Sequence, residues 1–283
     1  MADRSFSDLS LAALYDALNP WGRSDDFYLD LVLSARSVLD VGCGTGRLLG
    51  RALEAGHEGR LCGLDPAAAM LVQARRRARA GGGGPGRDRR AAVEWVLGDL
   101  TATHWEREFD LVVMTGHAFQ VLLGDEELRD ALAAIRQALS DDGHFVFETR
   151  NPAARVWERW TPEQVREVTD AHGEVVRVWH EVEAPDGGDR VTFTETFDHP
   201  GWEQPQVSSS TLRFLGPDSL DGFLTEAGFA VAERFGDWGR GPLTPTAPEI
   251  ITVARPTGRG LLSPSRFSPS RSRPPAPRAP DPG

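Results

Sequence analysis

A glycine-rich turn next to a carboxylate is the part of this chain whose residue types and spacing are most suited to binding a ligand. Residues 38–49 read VLDVGCGTGRLL, so that Asp40 lies near the end of an apolar run and Gly42, Gly44 and Gly46 follow at alternate positions. Glycine allows left-handed backbone and the close approach of a ligand. Free N–H groups at the start of a following helix would face the same ligand. The stretch therefore predicts a strand, a ligand-binding turn and a helix.

Two further carboxylates follow predicted strands at ordered distances. Asp65 ends a short apolar run 19 positions after Gly46, and Asp99 follows the predicted strand 93–97. A carboxylate at the end of the second strand can accept hydrogen bonds from both hydroxyls of a ribose. The alternative is that Asp65 caps the next helix, with Pro66 at its first position, and both roles are compatible.

The pattern D-x-G-x-G-x-G of residues 40–46 resembles motif I of the class I S-adenosylmethionine-dependent methyltransferases. The dinucleotide fingerprint would instead need glycine where Arg47 stands, which disfavours a nicotinamide-dependent oxidoreductase. The resemblance covers residues 38–150 well and 216–255 by pattern. It implies an α/β, Rossmann-like, doubly wound sheet of seven strands, mostly parallel with an antiparallel last strand, and S-adenosyl-L-methionine as the cofactor.

The resemblance also implies a set of cofactor-binding residues. The glycine turn would hold the methionine end of the cofactor, and Asp40 its ammonium group. Asp65 would bind the ribose, while Asp99, the backbone N–H of Leu100 and the side chain of Met70 would contact the adenine. The expected cofactor-binding residues are Asp40, Gly42, Cys43, Gly44, Thr45, Gly46, Asp65, Pro66, Met70, Gly98, Asp99, Leu100, Thr115 and Gly116.

His117 is the one titratable side chain in the segment 115–120 that follows the fourth predicted strand. An imidazole titrates near neutral pH and could take a proton from a substrate hydroxyl or amine. The alternative is that it shapes the pocket or bonds a backbone carbonyl. We expect SN2 transfer of a methyl group to N or O of a small molecule. Since the cofactor supplies the electrophile, no metal is required, and no ligand pattern suggests one.

Segments on both sides of the predicted core are expected to cover the site. Residues 1–37 predict two helices that resemble a lid, ahead of a methyltransferase domain at 38–255. Residues 153–213 predict an inserted antiparallel β-meander that would roof the substrate site or form a homodimer interface. The aromatic residues concerned could instead pack helices on the sheet. The candidate substrate-binding residues are Tyr15, Trp21, Tyr28, His117, Phe119, Arg150, Trp202 and Arg213.

Composition restricts the partners of this 283-residue chain. A formal net charge of −11 argues against a general nucleic-acid binder, which needs a basic face. The absence of a leader pattern or a long apolar run predicts a cytoplasmic protein without membrane contact. Residues 256–283, rich in Pro, Ser and Arg, are expected to be disordered.

Two alternatives to a small-molecule enzyme remain open from the sequence. A non-catalytic nucleotide-binding or scaffold protein could keep the same fold and the same turn. A protein or RNA methyltransferase gains slight support from the arginine-rich tail and from the basic run at residues 75–90.

Overall fold

The computed structural model describes residues 3–81, 92–183 and 188–257. Most of the expected disordered tail, residues 258–283, lies outside the described residues. The same is true of residues 82–90 of the basic run and of residues 184–187 in the expected hairpin turn. Among the described helices, none combines the length and apolarity needed to cross a bilayer.

The N-terminal segment forms four helices rather than the two that periodicity predicted. The predicted first helix, over Leu9 to Leu18, is divided after Ala12, and a further short helix precedes it. Asp8 starts the helix at Leu9, because its Oδ1 accepts hydrogen bonds from the backbone N–H of Ser10 at 2.8 Å and of Leu11 at 3.3 Å. The last helix begins after Gly22, whose N–H donates to Asp25 Oδ2 at 2.8 Å. The four helices are α1 (Arg4–Ser7), α2 (Leu9–Ala12), α3 (Tyr15–Leu18) and α4 (Arg23–Ser34).

Strands and helices alternate through the following half of the chain, as the sequence predicted. They are β1 (Ser37–Val41), α5 (Arg47–Glu54), β2 (Arg60–Asp65), α6 (Ala68–Gly81), β3 (Val93–Leu97), β4 (Phe109–Met114), α7 (Asp125–Ala138) and β5 (Leu139–Arg150). Strand β5 begins earlier than the expected His144, and the Asp142-Gly143 turn lies inside it. A register shift against β4, between Phe109 and Leu111, accommodates the additional residues.

The inserted segment contains four strands where the sequence predicted three extended stretches. The additional strand is β6, which is mostly exposed and so lacks an alternating apolar pattern. The insertion and the elements that follow it are β6 (Arg166–Thr169), β7 (Val175–Val182), β8 (Arg190–Asp198), β9 (Gln206–Arg213), α8 (Pro217–Glu226), β10 (Phe229–Phe235) and β11 (Glu249–Pro256).

Among the described residues the strands form two separate sheets. The larger has seven strands in the order β10-β11-β5-β4-β1-β2-β3, and the smaller is the antiparallel set β6-β7-β8-β9. In the larger sheet β11 runs antiparallel to both β5 and β10, whereas β1 to β5 pair in parallel. This topology confirms the predicted fold class, including the antiparallel last strand.

The core lies on both faces of the seven-stranded sheet. One face packs Val38, Val113 and Val146 against α4 and α5, and the other packs Phe109 and Phe145 against α7 and α8. Side chains alternate between the faces of a strand. Asp40 and Glu148, two positions beyond Val38 and Val146, therefore point to the α4 face, as does Glu249, two positions before Ile251. The C-terminal ends of the parallel strands carry this acidic edge beneath the N-terminal helices.

Candidate functional site

The glycine turn folds back over the end of β2. Gly42, Gly44 and Gly46 have φ angles of 74°, 54° and 66°, in the left-handed region that favours glycine. The backbone N–H groups of Gly42 and Cys43 donate to the carbonyl of Leu64 at 2.8 and 3.1 Å. The turn is therefore held against the strand that ends in Asp65.

Gly46 is required by packing as well as by its backbone conformation. A Cβ at this position would overlap the ring of Trp95 and lie 2.9 Å from the Cβ of Ala74. The third glycine of the motif thus lets α5 approach α6 and β3 closely.

Asp65 joins the turn to the start of α6. Its Oδ2 accepts a hydrogen bond of 2.7 Å from the N–H of Gly44, and its Oδ1 accepts one of 2.8 Å from the N–H of Ala67. A carboxylate has about four acceptor positions, so each oxygen can accept a further bond. Burial raises the pKa of Asp65 above its ordinary value. The Asp65 carboxylate therefore supports the helix start and retains acceptor capacity for a ligand.

Asp99 lies at the end of the neighbouring strand. The N–H of Gly98 donates to the carbonyl of Asp65 at 3.1 Å, which joins the ends of β2 and β3. Asp99 Oδ1 accepts from the N–H and hydroxyl of Thr101 at 2.9 and 2.6 Å, and these bonds lower the pKa of Asp99. The side chain is exposed, whereas Leu100 is buried.

Asp40 is a buried carboxylate with an unsatisfied acceptor. Its Oδ1 has no hydrogen-bond partner among the described residues. Burial, followed by the charges of Asp65 and Glu148, raises the pKa of Asp40 to about 8. Buried polar atoms are nearly always bonded, so an orphan acceptor beside the turn fits a cationic ligand group.

Two further carboxylates, Glu148 and Glu249, belong to the same acidic region as Asp40, and the sequence does not single them out. We call these three carboxylates the acidic wall. Glu148 Oε1 accepts from the backbone N–H of His117 at 2.8 Å, and its Oε2 accepts from the hydroxyl of Tyr28. Glu249 Oε2 lies 3.0 Å from Nε2 of His117. The only signal in the sequence is one carboxylate in each of two apolar stretches, Glu148 in residues 145–149 and Glu249 in residues 249–254.

His117 itself is held in a strained conformation. Its φ of 64° lies in the left-handed region, which is uncommon for a residue with a side chain and clusters at functional sites. A Cβ on the preceding Gly116 would lie 3.3 Å from the hydroxyl of Tyr15. Burial raises the pKa of Tyr15 to about 12, so this hydroxyl stays protonated. Tyr15, Tyr28 and His117 therefore lie around one acidic region.

The N-terminal helices are fastened to the glycine turn by polar contacts. Asp16 accepts a hydrogen bond of 2.7 Å from the Thr45 hydroxyl and pairs with Arg77. Arg47 donates to Asp25 at 2.8 Å and to the carbonyl of Asn19. The Arg47 guanidinium lies 5.6 Å from the ring centre of Trp21. We call the contacts of Asp16 and Asp25 with the turn the latch.

The other candidate residues are distributed between the core and the inserted sheet. Phe119 stacks on Phe147 at 4.2 Å in the core, and Met70 is buried against Ala12. Burial raises the pKa of the Cys43 thiol well above its usual range. Thr115 precedes the turn that carries His117, with its carbonyl 3.3 Å from the N–H of Ala118. Pro66 lies between β2 and α6.

Three candidates belong to the inserted segment or border it. Arg150 donates to Gln120 Oε1 at 3.0 Å, and its guanidinium lies 5.2 Å from the ring of Trp160. Trp202 stacks on His199 at 5.0 Å and packs with the cluster between α2, α3 and β7. Arg213 bonds Asp189 at 2.7 Å and Asp125 at 2.6 Å. Arg150 and Arg213 both contact Gln120 near His117, Arg150 through its side chain and Arg213 through its carbonyl, which accepts from Gln120 Nε2 at 2.9 Å.

A cavity of about 310 Å³ opens between residues 100–105 and α7. Of the expected cofactor-binding residues it touches only Leu100. The glycine turn, the acidic wall and His117 do not line it, so it is separate from the candidate site.

Comparison with known proteins finds similarity to methyltransferases. Residues 38–143 match the model of a family described as "Methyltransferase domain". The chain is 25% identical over 229 residues to a protein of Geobacillus sp. (strain WCH70) with a provisional description as a methyltransferase, covering 78% of this chain and 85% of the relative.

Solved methyltransferase structures share the fold. The CcbJ methyltransferase of Streptomyces caelestis superposes with a TM-score of 0.69 at 22% identity, over 90% of this chain and 98% of that one. CalS10, an amino pentose methyltransferase of Micromonospora echinaspora solved with S-adenosylmethionine, gives a TM-score of 0.60 at 24% identity, over 86% and 97% of the two chains.

The fold is that of the class I methyltransferases, and residues 38–143 match a methyltransferase domain. Both findings support the resemblance predicted from motif I, with S-adenosylmethionine as the cofactor.

Proposed function

We propose that the chain binds S-adenosylmethionine between the glycine turn and the acidic edge, and transfers its methyl group to nitrogen of a small-molecule amine. The observation that carries the cofactor's placement is the buried, unpartnered Oδ1 of Asp40 beside the turn. An ammonium group there would satisfy this acceptor and favour its ionised form. The bound cofactor supplies the electrophilic methyl group; the protein supplies position, exclusion of water and a proton acceptor.

Asp65 and Asp99 are proposed to hold the nucleoside end. Each Asp65 oxygen already accepts one backbone N–H and can accept one ribose hydroxyl. Asp99 uses Oδ1 for Thr101, which leaves Oδ2 to accept from an adenine amino group. The buried Met70 and Leu100 provide apolar contact for the ring.

The acidic wall favours an amine over a hydroxyl as the acceptor. Glu148 and Glu249 lie at His117. Arg150, which interacts electrostatically with both, is bonded to Gln120. Such a region attracts a protonated amine by electrostatic complementarity. An amine must lose its proton before attack, because only the neutral form has a nucleophilic lone pair.

His117 is proposed to take that proton, with Glu249 fixing its tautomer. When Nε2–H donates to Glu249, the Nδ1 lone pair is free to act as the base. The resulting imidazolium would be stabilised by the same carboxylate. The lid helices would exclude water through the latch while Tyr15 and Tyr28 line the acceptor side.

Calorimetry with S-adenosylhomocysteine tests cofactor binding. Asp65→Ala removes up to two charge-assisted hydrogen bonds and should weaken binding by about 100-fold or more. Asp110→Ala is the matched control, because this carboxylate lies near the opposite end of β4 and pairs only loosely with Arg36, at 3.7 Å. If the wild-type chain binds neither S-adenosylmethionine nor its demethylated product, the proposal fails.

A mass-shift assay with S-adenosylmethionine tests the acceptor atom. Panels of small amines and of matched alcohols should show a 14-dalton gain for amines only, since methylation replaces one hydrogen with CH₃. Methylation of alcohols alone would overturn the preference for nitrogen. Methylation confined to peptides or RNA would favour the macromolecular alternative.

Two expectations from the sequence are kept as proposals: a homodimer through the inserted sheet and a cytoplasmic location. Light scattering of the purified chain gives the oligomeric state directly. An engineered deletion of residues 258–283 tests whether the arginine-rich tail contributes to activity or to nucleic-acid binding.

A further inference from the structure

One face of the four-stranded sheet, which carries Val178, His180 and Val182 of β7, is apolar at both ends. At one end Val176, Val178 and Phe197 pack against Leu11 and Leu14 of the lid segment. At the other end Val182, Phe193 and Leu212 pack with Trp157 and Trp160. Both ends of the face are therefore covered by protein.

A polar pair lies between these two apolar ends. His180 and Glu195 are opposite each other in the β7–β8 register, with Nε2 and Oε1 3.2 Å apart. Their side chains are 22% and 17% exposed, although Val178 and Phe197 next to them are almost fully buried. Within the part of the chain that the structure describes, the middle of the face is therefore only partly covered.

Trp160 connects this pair to the candidate active site. Its ring centre is 6.1 Å from that of His180 and 4.8 Å from that of Phe193. The guanidinium of Arg150 lies 5.2 Å from the same tryptophan ring. Arg150 in turn interacts electrostatically with Glu249 and Glu148. A continuous row of polar and aromatic groups thus runs from His117 to Glu195.

We propose that His180, Glu195 and Trp160 form a second acceptor subsite, which binds the hydroxylated part of a molecule whose amine lies at His117. This inference rests on the proposed function and extends it to the acceptor's class, an amine carried on a hydroxylated ring. The C–H face of such a ring packs on an indole. Hydroxyl groups bond a carboxylate and an imidazole, and a few placed polar groups in an apolar setting give a small-molecule site its specificity.

The carboxylate of Glu195 can accept further hydrogen bonds from a ligand. Its Oε1 contacts His180 at 3.2 Å and lies 3.8 Å from Arg166, while its Oε2 has no hydrogen-bond partner among the described residues. Glu181 provides a matched control, because it lies on the opposite face of β7 and is exposed.

Nuclear magnetic resonance of histidine ring signals tests the subsite without knowledge of the natural acceptor. The full chain, with S-adenosylhomocysteine present, is titrated with D-glucosamine or with cyclohexylamine, a ring amine that lacks hydroxyls. Glucosamine should shift the ring signals of both His117 and His180 in a saturable way, and cyclohexylamine those of His117 alone. Glu195→Gln should raise the glucosamine dissociation constant about tenfold, and Glu181→Gln should change it less than twofold.

The outcomes separate this inference from the proposed function. If glucosamine leaves His180 unmoved up to 100 mM, or if Glu195→Gln and Glu181→Gln act alike, the subsite is overturned. Folding of each variant is followed by thermal melting, and the wild-type titration does not depend on either variant. Binding of S-adenosylhomocysteine, measured by calorimetry, bears on the proposed function alone.

Discussion

The Thr45 hydroxyl donates a hydrogen bond of 2.7 Å to Oδ1 of Asp16, across 29 positions of the chain. Thr45 belongs to the glycine turn and Asp16 to α3, so this bond ties the N-terminal helices to the glycine turn. Asp16 also pairs with Arg77 on α6. The proposed lid is therefore held by side chains that lie next to the proposed cofactor site.

We expect Asp16→Ala to speed release of S-adenosylhomocysteine by about 3- to 10-fold. The latch residues are partly exposed, and such ion pairs contribute only about 0–1 kcal/mol to stability. The free energy of unfolding should therefore change little, while stopped-flow dissociation becomes faster. Asp30→Ala, on the exposed side of α4, is the control, and equal rates in the two variants would contradict a latch.

Asp40 should make stability depend on pH in the absence of cofactor. Its folded-state pKa of about 8 exceeds its ordinary value of 3.8. The folded state then binds more protons than the unfolded state between these values. The contribution of Asp40 to stability is present below pH 4 and is lost as the pH rises through 8. Urea unfolding of wild type and Asp40→Asn across this range should show a flatter profile for the variant.

The same carboxyl group should release a proton when the cofactor binds. An ammonium group beside Asp40 favours the ionised form, so the proton leaves at pH 7. Calorimetry in two buffers of different ionisation enthalpy should give a release approaching one proton for wild type and none for Asp40→Asn. Asp110→Asn should behave as wild type. Equal release in all three proteins would assign the proton to another group.

Gly46→Ala should destabilise the fold more than Gly56→Ala. Both positions have positive φ, 66° and 92°, so both substitutions incur a backbone cost of about 1–2 kcal/mol. Only at Gly46 does the added methyl group overlap Trp95, which adds about 1–3 kcal/mol for overpacking. Equal losses in denaturant unfolding would show that Trp95 moves aside freely.

Glu249→Ala should change the tautomer of His117. In wild type the proton is expected on Nε2, facing Glu249 at 3.0 Å, and nitrogen NMR shifts of the ring distinguish the two tautomers. The variant should lose this preference, and turnover with an amine acceptor should fall about 10- to 100-fold. Glu233→Ala, on β10, is the control. A proton found on Nδ1 in wild type would remove the basis for Nδ1 as the base.

The positions of Asp40, Asp65 and Asp99 were predictable because local patterns determine them. Asp40 and Asp65 lie at the ends of short apolar runs ahead of Gly42 and Pro66, and Asp99 follows such a run directly after Gly98. Parallel strands bring their C-terminal ends to one edge. The overall sheet followed from the same alternation of strands and helices. The role of each residue at the site remains a prediction.

Glu148 and Glu249 were not selected because their importance depends on contacts between distant segments. Each is the one carboxylate of a short apolar stretch, residues 145–149 and 249–254. Only the position of β11 beside β5 brings Glu249 to His117. The helix start at Asp8 depends on the bonds of one side chain, and the short exposed strand β6 depends on its pairing with β7. The spacing of apolar residues in the sequence indicates neither the helix start at Asp8 nor strand β6.

The position of β11 in the sheet has a consequence for the synthesis of the protein on the ribosome. Glu249 comes from the last described strand, yet it pairs with a histidine encoded 132 positions earlier. A growing polypeptide can assemble the glycine turn and Asp65 long before that strand emerges from the exit tunnel. Prematurely terminated products would then retain much of the proposed cofactor site but lack the partner of His117, and would bind the methyl donor without consuming it.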